Sequence, residues 1–170
     1  MATLEIPIID FQVTPDVTGD CWFAPVSTEL TLGNADGAKI CGVLPAAATI
    51  SADTGFKGGF QVPRGYVDTP VLVIRGILDG APTTLVIAFG VQLRPLADDE
   101  AYDVAYNAQN IASASSVGQA DEDVYEETIS IADTLAAFDD VDWFFFIDDS
   151  VHTYTGKFLL TGLFFRYNDA

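Results

Sequence analysis

His152 is the only histidine in the 170 residues, and that alone narrows the chemistry open to the chain. A hydrolase built on serine, histidine and an acid needs an imidazole beside its nucleophile. His152 stands in the polar stretch Ser150-Val151-His152-Thr153-Tyr154 and reads as a solvated loop residue, not a base. One histidine and two scattered cysteines, Cys21 and Cys41, give no zinc-ligand spacing. The cysteines could pair if adjacent strands carried them, but two unpaired small apolar residues are expected. Carboxylates are plentiful, and a glycosidase needs only two, set about 5–10 Å apart. Asp139, Asp140 and Asp142 lie at one end of an aromatic run, and Asp148 and Asp149 lie at the other, so no pair is set across a cleft. Asp121-Glu122-Asp123 and Asp148-Asp149 are where a hard cation such as calcium would find oxygen ligands. Neither has the spacing of an EF-hand loop, and a solvated acidic surface accounts for both. Gly58-Gly59 lacks the helix and lysine of a phosphate loop. Trp22, Tyr102, Tyr106, Tyr125 and Tyr154 are available for stacking on sugars, with core or turn packing the expected role of each. The sequence thus assigns no catalytic residue, no cofactor and no metal site, and it predicts no turnover of glycosides, esters or peptides.

The elements that would position such residues are strands. Trp143-Phe144-Phe145-Phe146-Ile147 and Phe158 to Phe165 are short, intensely apolar and bounded by polar residues. Strand side chains alternate, so Trp143, Phe145 and Ile147 share one face while Phe144 and Phe146 share the other. A run that is apolar on both faces is expected to be covered on both. Val71 to Leu78 and Thr83 to Leu93 flank Asp79-Gly80-Ala81-Pro82, and the Asp-Gly step predicts an antiparallel hairpin. Between residues 14 and 45, Pro and Gly punctuate short apolar pieces at Cys21–Phe23, Thr28–Leu32 and Ile40–Leu44, with a turn at Asn34-Ala-Asp36-Gly37. The acidic stretch from Leu96 to Glu127 is a long excursion or carries a strand near Ala101–Ile111, and alternation resumes from Glu126 to Leu135. Residues 3–13 alternate Leu4, Ile6 and Ile8 against Ile9, Phe11 and Val13, but Pro7 cannot donate to a ladder. Residues 1–13 are therefore an N-terminal arm or edge strand, expected to dock on a neighbouring subunit or surface, and residues 14–170 are one β-sandwich domain. The predicted fold is all-β, a jelly-roll-like sandwich of about eight or nine antiparallel strands. In a jelly roll the last two strands occupy the middle of opposite sheets, which explains two runs this apolar.

Composition bounds the rest. At 170 residues the chain can bury about 70% of the surface its unfolded form exposes. Seven Lys and Arg stand against 25 Asp and Glu, a net charge of −18. Such a surface repels nucleic acid and anionic lipid, and it suits salty surroundings that screen its self-repulsion. The start, Met1-Ala-Thr-Leu-Glu-Ile-Pro7, has neither a basic region nor a long apolar one, so neither a signal peptide nor an anchor is expected. No stretch approaches a bilayer-spanning length.

The segment Phe60-Gln-Val-Pro63-Arg-Gly-Tyr66-Val67-Asp68-Thr69-Pro70 and the strand after it resemble jelly-roll structural proteins of tailed bacteriophages. The ending resembles theirs too: Phe144 to Asp148, a polar loop to Gly156, then Leu163-Phe-Phe-Arg-Tyr167-Asn-Asp169-Ala170. The loop starts Ile147-Asp148-Asp149 where that family has Arg-Asp. The resemblance covers the C-terminal two thirds and implies a non-enzymatic virion protein assembled in the host cytoplasm. A capsid decoration protein, as a homotrimer on the major capsid protein, is the first expectation. A tail or fibre component that binds host-surface glycan is the second, and a free carbohydrate-binding module the third. Oligomerisation would use the apolar strand faces.

Overall fold

The computed structural model describes residues 1–6, 12–13, 22–25, 40–47, 53–80, 86–97, 104–115 and 124–170. Within them are eleven strands: β1 (Ala2–Ile6), β2 (Gln12–Val13), β3 (Trp22–Pro25), β4 (Ile40–Leu44), β5 (Thr54–Gln61), β6 (Tyr66–Asp79), β7 (Val86–Leu96), β8 (Asn110–Ser115), β9 (Val124–Ser130), β10 (Asp140–Ile147) and β11 (Lys157–Asp169). They form two antiparallel sheets. One has the order β3-β4-β11-β6-β9, with β1 also on β11, and the other has the order β2-β5-β10-β7-β8. The jelly-roll-like sandwich expected from the sequence is the fold, and β10 and β11 do occupy the middles of opposite sheets.

The alternation of β10 explains the core. Val141, Trp143, Phe145 and Ile147 point inward to meet Phe158, Leu160, Leu163, Phe165 and Tyr167 of β11. The inward positions on β11 change from even to odd numbers because the register with β6 slips between Leu160 and Gly162. Such an irregularity re-phases the pleat so that both halves of a 13-residue strand bury their rings. Phe158 is enclosed in this core. Its ring meets Phe89 edge-on at 4.9 Å and Tyr125 at 6.2 Å. A β-carbon on Gly76 would lie 2.3 Å from that ring, so only glycine lets β6 pass beneath it. On the opposite face of the same sheet, Cys41, Val43 and Leu159 bury a second small cluster with Ile77.

Three expectations about the elements are corrected. Strands β6 and β7 are not a hairpin: β6 pairs with β11 and β9 in one sheet, while β7 pairs with β10 and β8 in the other. The chain leaves the first sheet at Gly80, whose φ of 128° suits a sharp exit as well as a hairpin turn. Residues 3–13 are not one strand, because β1 lies on β11 and β2 lies on β5 in the opposite sheet. This splitting, together with β5, which the sequence did not mark as a strand, brings the count to eleven among the described residues. Ile6 is in the core and Ala2 and Leu4 pack on it, so β1 is an edge strand of its own chain's sandwich. The third correction is at Ala101–Ile111, where residues 104–109 are irregular and the strand starts at Asn110. The turn at Asn34–Gly37 and the piece at Thr28–Leu32 lie outside the described residues, as does Cys21.

Candidate functional site

The outer face of the five-stranded sheet collects side chains that the core does not use. Because Trp143 and Phe145 face inward, Asp142, Phe144 and Phe146 must face out. The pairing register then builds three rows: Lys57, Phe144 and Gln92; Gly59, Asp142 and Arg94; Gly55, Phe146 and Gly90. Phe146 is fully buried and stacks on Phe144 with centroids 4.9 Å apart. A β-carbon on Gly90 would sit 2.3 Å from the Phe146 ring, so this ring occupies the space a side chain on β7 would take there. Phe144 is only half-buried, although the sequence predicted cover on both faces of its strand.

Residues 104–109 edge this face. The Asn107 amide donates to the Leu93 carbonyl at 2.8 Å, Gln92 Nε2 donates to the Asn107 carbonyl at 3.4 Å, and Arg94 Nη1 donates to the Val104 carbonyl at 3.3 Å. These bonds carry Tyr106 over the sheet. Its ring centroid lies 5.2 Å from the Arg94 guanidinium carbon and 5.8 Å from Lys57 Nζ, which is also 5.3 Å from the centre of Phe144. Both cations are within cation–π range of their rings. Arg94 is ion-paired with Asp142. The face thus offers two half-buried aromatic rings, one exposed ammonium, one guanidinium, one carboxylate and one amide.

The carboxylates that the sequence marked at Asp148 and Asp149 gather with Asp53, with one oxygen from each within 4.8 Å of the others. Hydrogen bonds already employ them. Asp148 Oδ1 accepts from the Ser150 amide at 3.0 Å and from its hydroxyl at 2.6 Å, while Asp53 accepts from the Asp149 amide at 3.2 Å and from Gln109 Nε2 at 3.1 Å. Burial, with the Asp148 and Asp149 charges beside it, holds the Asp53 carboxyl above its ordinary range despite the Asp149 amide. Three carboxylates suit a hard cation, and the Asp149 amide on Asp53 ties the start of β5 to the β10–β11 loop. Asp121-Glu122-Asp123 lies outside the described residues.

His152 is not the solvated loop residue expected. It is 5% exposed, because its loop folds back along β7. The Asp148 amide donates to the Ala88 carbonyl at 3.0 Å, and the Thr153 and Tyr154 amides donate to Val86 at 2.9 and 3.0 Å. Nδ1 accepts from the Ala88 amide at 3.4 Å, and Nε2 finds no acceptor among the described residues. Burial pushes its pKa down from 6.5 to about 4, against a smaller opposing pull from Asp148. The imidazole is neutral and enclosed, and no nucleophile among the described residues is bonded to it.

Of the aromatics named from the sequence, Tyr125 and Tyr154 are core residues, and Tyr106 alone is seen on the open face. Tyr102 and the Trp22 side chain lie outside the described residues. Phe144 was not among the aromatics named for sugar binding, though the alternation of β10 was the signal that separates it from Trp143.

No protein-family model matches the chain, and no curated protein matches it. Solved structures do. The K1 cleaved adhesin domain of Lys-gingipain from Porphyromonas gingivalis W83 superposes with a TM-score of 0.51 at 12% identity, over 99% of each chain. The xylan-binding module CBM15 superposes with a TM-score of 0.50 at 9% identity, over 99% of this chain and 97% of that one. A third structure, of carbohydrate-binding modules from the β-sandwich superfamily, gives 0.49 at 9% identity; it covers 92% of this chain, which spans 57% of that chain's length. At these identities the likeness is one of fold: this chain is a β-sandwich, as the adhesin domain and the xylan-binding module are.

Proposed function

We propose that the protein binds an extended carbohydrate chain on the outer face of its five-stranded sheet and catalyses no reaction. The carrying observation is the half-buried pair Phe144 and Tyr106 set among Lys57, Gln92, Arg94 and Asp142. The C–H face of a pyranose packs on such rings, and its hydroxyls take hydrogen bonds from the amide and charged groups around them. The xylan-binding fold neighbour supports this reading, since a sandwich of the same shape serves that ligand class. A screen against an array of neutral and acidic polysaccharides tests it. At least one should bind, and Phe144→Ala and Tyr106→Ala should each weaken binding about tenfold or more, as loss of a central aromatic anchor does. No binding across the array, or binding indifferent to both substitutions, would overturn the proposal.

A second reading keeps its support in the sequence: the resemblance of Phe60–Pro70 and of the ending to phage jelly-roll proteins. In it the same domain rides on a virion, either as trimers on the major capsid protein or at the tail as a glycan-reading tip. Imaging of assembled particles tests it. Density for this sandwich at stoichiometric shell positions is expected for decoration and density at the tail alone for adhesion, while particles without it refute both.

A further inference from the structure

Resting on that glycan-binding reading, we infer that the ligand is a largely neutral polysaccharide bearing isolated carboxylates, a uronate-substituted chain, and that Lys57 reads the carboxylate. Six of the seven cations of the chain are described, and four of them, Arg75, Arg94, Lys157 and Arg166, have carboxylate partners. Lys57 and Arg64 have none among the described residues, and of the two only Lys57 is set over the rings of this face. It is exposed, and its ammonium is poised over the two rings that would carry the sugar. An ammonium with no carboxylate partner among the described residues, set over two aromatic rings, is placed for an anion that arrives with the ligand. Arg94 does not compete for that anion, because Asp142 already occupies its fork.

The charge of the whole protein fixes how dense the anion can be. At −18 the chain repels polyanions, and at physiological ionic strength that repulsion is screened only beyond about 8 Å. One ammonium neutralises one carboxylate, and each further charge along the ligand adds repulsion without a partner. A chain with sparse uronates on a neutral backbone therefore fits, and a dense uronate or sulfated polymer does not.

Binding of a glucuronoxylan oligosaccharide is compared by calorimetry with that of the same oligosaccharide after its carboxyls are reduced to alcohols. The acidic form should bind about fivefold tighter, the scale of one exposed charge pair. Lys57→Met, which leaves an unbranched stem over the rings, should bind both forms equally and as the wild type binds the reduced one. Lys57→Arg should keep the preference. Equal wild-type affinity for the two forms, a preference that survives in Lys57→Met, or tighter binding of a sulfated or polyuronate chain would overturn the inference while leaving glycan binding itself standing. Failure to bind any polysaccharide would overturn both.

Discussion

Truncating Phe158 to alanine should cost about 3–5 kcal/mol, as removal of a fully enclosed phenylalanine does. The ring is 1% exposed and meets Phe89, Tyr125 and the bare backbone at Gly76. None of these can close over the void without pulling the two sheets together. For a domain of this size the melting temperature should drop by roughly 10 °C or more. The same contact can be tested from its other side. Gly76→Ala puts a methyl where the Phe158 ring and the Leu159 carbonyl already are, 2.3 and 2.6 Å away, and should cost about 1–3 kcal/mol. Adding Phe158→Leu to Gly76→Ala should return part of that loss, so the two positions are non-additive. Denaturant titration of the three variants measures this; a loss under about 1 kcal/mol for Phe158→Ala contradicts the core described.

Acid should destabilise the protein through His152. Its pKa is about 4 when folded and 6.5 when exposed, so between those values the unfolded chain binds the proton that the folded one refuses. Stability is then fully present above about pH 6.5 and falls as the pH drops, until the loss reaches about 3 kcal/mol near pH 4. More than half of it is gone by about pH 5. Asp53 works in the opposite sense: burial raises its pKa, so the folded state takes up that proton more readily than the unfolded one, which favours folding as the pH falls. The His152 contribution is isolated by comparing wild type with His152→Gln, whose side-chain oxygen can still accept from the Ala88 amide but does not titrate. The difference in unfolding free energy between the two should change by most of that amount between pH 7 and pH 4.5. Parallel curves would show that the imidazole is reached by water and charges in place.

Much of the architecture is legible because it is local. The boundaries of β4, the placing of β10 and β11 at the centres of opposite sheets, and the division of Trp143, Phe145 and Ile147 from Phe144 and Phe146 all follow from alternation over a few residues. What is not legible depends on partners far away in the chain. The Asp79-Gly80 step is compatible with a hairpin and with a crossing, and only the pairing of β6 with β11, some 85 residues on, decides between them. His152 stands in a polar loop by every local sign, and it is buried because that loop folds back on Val86 and Ala88. Asp53 joins Asp148 and Asp149 across nearly a hundred residues. The candidate site is of the same kind: Lys57, Arg94, Tyr106 and Phe144 come from four separate stretches that alternation can place on faces but not beside one another.

Because β10 and β11 hold the centres of both sheets and follow the nine other strands among the described residues, the domain is completed from the outside in. During synthesis, β4, β5, β6 and β7 emerge with their apolar faces made while β10 or β11, the central partner of each, is still unmade, so neither sheet can close until those two strands have left the ribosome. Pairings this distant in sequence make folding slow and leave strand edges open for longer than in a domain of local hairpins. A strongly negative chain has an advantage in that interval, since like charge keeps two unfinished copies apart while each waits for its last strands.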